Sequence, residues 1–417
     1  MKPSPAATNT KPQLHLFEFI ALMALLTSLV ALAIDAMLPA LSIIGTELNS
    51  ESSQQTYLVI SLFFTGMAFG QLFFGPFCDA RGRRFTILVG LIIFVIGTLI
   101  CFWAPTIEVL LFGRLVQAFG VSGPRIASMA VIRDLYVGDS MARVMSFITV
   151  IFILVPMIAP LVGQAVMSYF HWRHIFSVFL VVAVISGLWF FLRHGETLPR
   201  NKRQKFAWGH FFSACLWLLK NRTVLGFSVA MGFIFGSFLA YLSGSQTIFQ
   251  EIYDTGEMFP LVFATLAFSI GLASLFNGLL VMRFGMQTLC TIALFMSMIF
   301  GVMLTALTFY YDGVPPLPAF IAVMFFGFFF IGSLFGNLNA MAMQPVGHIA
   351  GLGAAFIGSF SSFLAVPIAT FINQFLVSDL KPIALGFLVF SILTWLAVRF
   401  GRTQPIEPDM QEIKNPA

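Results

Sequence analysis

The sequence predicts an all-α membrane protein of twelve transmembrane helices in two six-helix halves. Three observations carry this. Hydrophobic residues make up 59% of the 417 and charged residues only 9%, where a soluble domain has roughly 25% charged. The apolar residues fall in twelve runs, each about the 20 residues a helix needs to cross a bilayer. One basic stretch, 194–221, then parts these runs six from six. So apolar a chain needs lipid as its solvent, and in lipid only structures that satisfy their own backbone survive.

Taken in order, the expected spans are about 16–39, 56–77, 85–104, 108–131, 143–167 and 174–193, then 222–245, 258–281, 288–310, 317–341, 349–376 and 381–400. The divisions are therefore an amino-terminal bundle over 1–193, a cytoplasmic linker over 194–221, and a carboxy-terminal bundle with a short tail over 222–417. Within the linker, Phe211 to Leu219 reads as an amphipathic helix lying on the membrane. The polar start, Met1–Gln13 with Pro3, Pro5 and Pro12, precedes an apolar run too long for a signal-peptide core, so that run is read as a retained first span.

Orientation follows from charge. With both termini cytoplasmic, all but four of the 22 Lys and Arg lie on cytoplasmic segments or helix ends. The exceptions are Arg173 and Lys381 on the opposite side, and Arg114 and Arg125 inside the fourth span. The outer loops are acidic instead: Glu47, Glu51, Glu108, Glu251, Asp254, Glu257 and Asp312. This is the bias that sets orientation in polytopic proteins. It also explains the formal charge of +5 without nucleic acid. Cys78, Cys101, Cys215 and Cys290 lack metal-ligand spacing and are expected as free thiols.

A short repeat joins the halves. Gly75, Asp79 and Gly82 after the second span match Gly278, Met282 and Gly285 after the eighth, at one constant offset. Duplicated halves are a common construction of transporters.

The ionisable residues within spans carry the mechanism, because charge in hydrocarbon is expensive. Asp35 sits about one turn before the outer end of the first span. Two readings stand: an acid that reaches water at the interface, or an acid in a cavity that loads and releases a proton. Arg114 lies at similar depth on the fourth span, and is either a static partner of Asp35 or a regulator that separates from it during transport. Arg125 follows three turns on along the same face. Glu18, at the cytoplasmic start of the first span, is read as a surface acid. In the loop from Gly75 to Arg84, Gly82 supplies a turn and Asp79 stands among Arg81, Arg83 and Arg84, either as a latch between halves or as a simple orienting loop. Pro156, Pro160 and Gly163 loosen the fifth span. Gln246, Asn277, Asn337, Asn339, Gln344, Asn373 and Gln374 are mostly interhelical glue. Tyr57, Gln117, Arg125 and Asn337 join Asp35 and Arg114 as the expected cavity lining. His348 reads as a helix cap.

These residues resemble the major facilitator superfamily over nearly the whole chain. Gly75, Asp79, Gly82, Arg83 and Arg84 are similar to its loop signature Gly-x-x-x-Asp-Arg-x-Gly-Arg-Arg, with Ala80 in place of the first Arg. Arg114-Leu-Val-Gln117-Ala-Phe-Gly120 resembles its fourth-helix motif Arg-x-x-Gln-Gly-x-Gly, tied there to proton transfer. Ala159-Pro160-Leu-Val-Gly163-Gln164 is similar to the antiporter signature Gly-Pro-x-x-Gly-Gly, from which Ala159 and Gln164 depart. Asp35-Ala-Met-Leu-Pro39-Ala-Leu, Arg133-Asp134-Leu-Tyr136 and Trp172-Arg173 resemble the bicyclomycin- and chloramphenicol-resistance type of drug:proton antiporter. The resemblance implies a major-facilitator-type fold in a bacterial inner membrane, with Asp35 as coupling acid. It also implies a gate at Gly75, Asp79, Gly82, Arg83, Arg84 and Arg133, with Asp79 touching the eleventh span and the cytoplasmic end of the fourth.

The expectation is thus a proton-coupled exporter of small, partly apolar compounds, acting as a monomer in lipid. The partners are the substrate and protons; no cofactor, metal or nucleic acid is expected. An exporter of one endogenous metabolite, such as a carboxylate-rich siderophore, is the alternative, since two arginines outnumber one acid. A non-transporting sensor ranks below both. Clustered histidines and paired carboxylates are missing from the spans, so an enzyme is not expected.

Overall fold

The computed structural model of the chain describes residues 14–50, 53–136, 139–203 and 208–402. Met1–Gln13, Glu51, Lys205 and Lys414 lie outside them, as do the side chains of Arg143, Met282 and His348.

The first six spans form α1 (Leu16–Asp35), α3 (Ser53–Arg81), α4 (Arg83–Phe102), α5 (Ile107–Leu135), α6 (Asp139–Tyr169) and α7 (His174–Arg193), with a short α2 (Leu41–Glu47) after α1. The linker holds α8 (Trp208–Lys220). The last six spans are α9 (Arg222–Gln246), α10 (Phe259–Phe284), α11 (Met286–Tyr310), α12 (Leu317–Met343), α13 (Ala350–Asn373) and α14 (Lys381–Gly401). Eleven stretches among the described residues are long and apolar enough to cross a membrane, and Leu154–Tyr169 of α6 is a further apolar run. The chain is a multi-pass membrane protein. All four cysteines are free thiols.

Local chemistry places the helix ends. Proline lacks an N–H to continue a helix, so α1 stops at Asp35 and Pro39 opens a single 3-10 turn before α2. The turn between α3 and α4 is Gly82 at φ 99°, and its counterpart between α10 and α11 is Gly285 at φ 77°. Both adopt backbone that L-residues avoid, which gives the repeated glycines a shared conformational reason. By contrast, α6 stays helical through both Pro156 and Pro160.

Small residues let helices approach closely. On α4, Gly90 and Gly97 leave no room for a methyl against Pro124 and Gln117 of α5. Gly226 of α9 does the same against Gly401 of α14. The two sets of helices meet mainly where α3 packs on α13 and α6 on α10. α8 buries Leu218 and leaves Phe212, Leu216 and Leu219 exposed.

Candidate functional site

Asp35 ends α1 with only 5% of its surface exposed. Among the described residues it has no hydrogen-bond or ion-pair partner. Two groups frame it. Gly163 of α6 sits against the carbonyl of Ala36, where even a methyl would collide. From the other set of helices, Tyr241 of α9 lies within electrostatic range of Asp35. The Tyr241 hydroxyl is buried without a hydrogen-bond partner among the described residues, and its ring meets Phe328 edge-on at 4.7 Å.

Arg114 is fully buried but turns away from Asp35. Its Nε donates to the Val59 carbonyl of α3 at 3.1 Å, and Nη1 donates to Gln117 Oε1 at 2.7 Å. Gln117 Nε2 passes the chain on to Thr98 Oγ1 of α4 at 2.9 Å. The guanidinium covers the Phe63 ring at 4.3 Å, and Nη2 is left unpaired. The structure therefore does not bring Asp35 and Arg114 together. Equal depth on two helices says nothing about where each points around its own axis.

Arg125 does share the face of Arg114, since both reach toward α3. It is half-buried, and its Nη1 lies 3.1 Å from Met67 Sδ. No carboxylate among the described residues neutralises it. Nearby, Phe64 of α3 meets Phe235 of α9 edge-on at 5.2 Å, and Phe235 continues to Phe335 of α12. Apolar rings thus line the seam between the two sets beside one unpaired cation.

Two expected lining residues have other work. Tyr57 bridges the sets directly: its hydroxyl lies 3.1 Å from Thr247 Oγ1 and 3.3 Å from the Leu376 carbonyl. Asn337 is buried between α12 and α10, donating to Asn277 Oδ1 at 2.7 Å. Glu18 is paired with Arg193 at 2.9 and 3.0 Å and accepts from Trp189 at 3.1 Å, which ties α1 to α7.

At the far end of α3 the charges are satisfied. Arg83 is 5% exposed. Its Nη1 donates to Asp79 Oδ1 and to the Cys78 carbonyl, both at 2.9 Å, while Nε donates to Asp134 Oδ2 at 2.9 Å. A side chain on Gly351, at the start of α13, would come within 3.7 Å of Asp79 Oδ2. The same face of α3 continues along α13, with Gly75 opposite Ala355 and Ser359 Oγ donating to the Ala68 carbonyl at 2.7 Å. Arg133 is exposed and has no partner among the described residues; its neighbour Asp134 does the binding.

Sequence reasoning missed Glu196. Its carboxylate accepts from the backbone N–H of Arg83 at 2.9 Å and of Arg84 at 3.2 Å. It thereby caps the amino terminus of α4, where free N–H groups favour an anion. Thr197 adds a hydrogen bond to Asp134 Oδ2 at 2.9 Å. The only available signal was one acid in an otherwise basic linker. Tyr241 and Thr247 gave none, being neutral.

Two sets of membrane helices meeting along a seam, with buried charges inside the first set and a charge network at one end, form the architecture of a membrane transporter. The chain belongs to the major facilitator superfamily, whose family model matches residues 23–370. A relative called an uncharacterized MFS-type transporter YdgK, from Bacillus subtilis, is 30% identical over 88% of this chain and 91% of its own. A bicyclomycin resistance protein homolog from Haemophilus influenzae is 30% identical over 82% and 85%. In fold, the chain is similar to the xylose transporter XylE of E. coli in a partially occluded inward open conformation. That match has a TM-score of 0.70 at 13% identity and covers 92% of this chain and 96% of that one.

Proposed function

We propose that the protein is a proton-coupled exporter of small, partly apolar compounds such as antibiotics, with Asp35 as the proton carrier. The observation that carries this reading is a buried carboxyl with no partner among the described residues, with Tyr241 of the other half within electrostatic range. Burying an unpaired carboxylate is costly, whereas the neutral acid is tolerated. Packing of the seam around Asp35 therefore favours the protonated form, and opening it to water favours the charged form. Proton uptake and release become linked to closing and opening. Substrate resting on the Phe64, Phe235 and Phe335 rings competes for the same seam.

In this reading the bundles 1–193 and 222–417 rock about the seam, joined by 194–221. The arginine-rich end, with both termini, faces the cytoplasm of a bacterium, and the unit is a monomer. The names of relatives, a bicyclomycin resistance protein and the multidrug resistance protein MdtL of Salmonella, support export of drugs. Arg125 favours a second reading, in which the cargo is a single anionic metabolite: a half-buried guanidinium without a carboxylate partner suits neutral or anionic cargo better than multivalent cations. A transport panel in which only lipophilic cations moved would count against that preference.

The test is uphill export in proteoliposomes carrying an inward-directed proton gradient at the outer face. Asp35→Asn should abolish accumulation while leaving downhill exchange of substrate. Retention of full uphill export by Asp35→Asn would refute the mechanism.

A further inference from the structure

A pocket among the described residues lies far from the seam, outside the transport reading, and its chemistry suits lipid. Arg81, Arg84 and Arg203 surround a space of about 380 Å³, floored by Phe85, Leu88 and Phe191 and closed by Glu196. The apolar part belongs to the lipid-facing surface. Phe85 and Leu88 lie one turn apart on α4, Phe191 lies on the adjacent α7, and all three are exposed. Ile92 on α4 and Leu188 on α7 extend the same apolar groove away from the arginines and toward the bilayer centre.

The polar part carries excess positive charge with unfilled donors. Three guanidinium groups face one carboxylate. Glu196 already accepts from the backbone of Arg83, Arg84 and Leu198 and forms a long ion pair with Arg203 Nη2 at 3.8 Å, so one carboxylate offsets only part of the positive charge. Arg84 stacks on Phe191 at 4.1 Å and donates Nη2 to the Phe191 carbonyl at 2.9 Å. Yet Arg84 Nε and Arg203 Nε are both buried with no acceptor among the described residues. Three guanidinium groups around one carboxylate leave excess positive charge at the pocket, which an oxygen-rich anion seated there would balance.

We propose that this pocket binds the phosphate of an anionic phospholipid, with acyl chains laid along the groove between α4 and α7. Position decides the source of the phosphate: the arginines crown an apolar groove that opens sideways into the bilayer, where a diacyl lipid fits and a free ion gains nothing from the floor. Because Glu196 caps α4 beside Arg83, lipid bound here braces the closed latch.

The test is native mass spectrometry of the detergent-solubilised full chain, offered equal amounts of phosphatidylglycerol and phosphatidylcholine. Phosphatidylglycerol should be retained about tenfold over phosphatidylcholine. Arg81→Gln with Arg203→Gln should bring the two lipids to near equality, whereas Arg81→Lys with Arg203→Lys should keep most of the preference. Arg402→Gln, outside the pocket, should leave it unchanged. An unaltered melting temperature of the glutamine variant in phosphatidylcholine nanodiscs would show that it remains folded. Equal retention of the two lipids by the unaltered protein would overturn the proposal, as would an equal loss in Arg402→Gln. Displacement of phosphatidylglycerol by millimolar inorganic phosphate would assign the pocket to a soluble anion instead.

Discussion

The two ends of α3 treat charge in opposite ways. Around Arg83, at its carboxy-terminal end, a buried cation meets Asp79, Asp134 and a main-chain carbonyl, and Glu196 fills the exposed helix terminus beside it. Toward the other end, Asp35, Arg114 and Arg125 lie within the spans without one ion pair among the described residues. A saturated network holds a conformation, because breaking it leaves charges uncompensated. An unsaturated group has no such anchor, and its charge state can follow hydration or cargo. Under the proposed mechanism, the contrast separates the part that would latch from the part that would couple.

Substitutions should divide along that line. The largest structural effect is expected of Arg83→Ala, which removes the cation shared by Asp79 and Asp134, leaves Asp134 with Thr197 alone, and should lower stability by about 2 kcal/mol because both carboxylates keep some solvent. Thermal unfolding in detergent measures it, and a loss below about 1 kcal/mol would mean that the network is no latch. Tyr57→Phe removes one hydroxyl that ties α3 to the segments just after α9 and α13, and should shift the balance between conformations by about 1 kcal/mol. Spin-label distances across that end should lengthen, while the unfolding temperature barely moves. The smallest effect is expected of Glu18→Gln: the exposed pair with Arg193 holds α1 to α7 only from the surface, so transport and melting should match the unaltered protein. A clear loss of coupling in this variant would move the proton site away from Asp35.

Much of this was legible in the sequence, for a physical reason. Charge inside an apolar run is so costly that Asp35, Arg114 and Arg125 stand out without any structure. Helix limits followed as closely: the seventh span was expected at 222–245, and α9 covers Arg222–Gln246. Gly82 and Gly285 were visible as a repeat, and their positive φ supplies its cause.

What stayed hidden was direction around the helix axis. Asp35 and Arg114 match in depth, yet Arg114 points to Val59 and Gln117. Tyr57, expected as cavity lining, carries no charge that would reveal a partner; its hydroxyl meets Thr247 in the other half of the chain. Glu196 was masked by its basic surroundings, although it holds the start of α4.

The central claim, that Asp35 itself carries the exchanged proton, is tested most directly by following protons rather than cargo. Purified protein in weakly buffered detergent, with a pH-sensitive dye, should release protons when a transported compound is added, and Asp35→Asn should release none while still binding that compound. Equal proton release from Asp35→Asn and the unaltered protein would contradict the account.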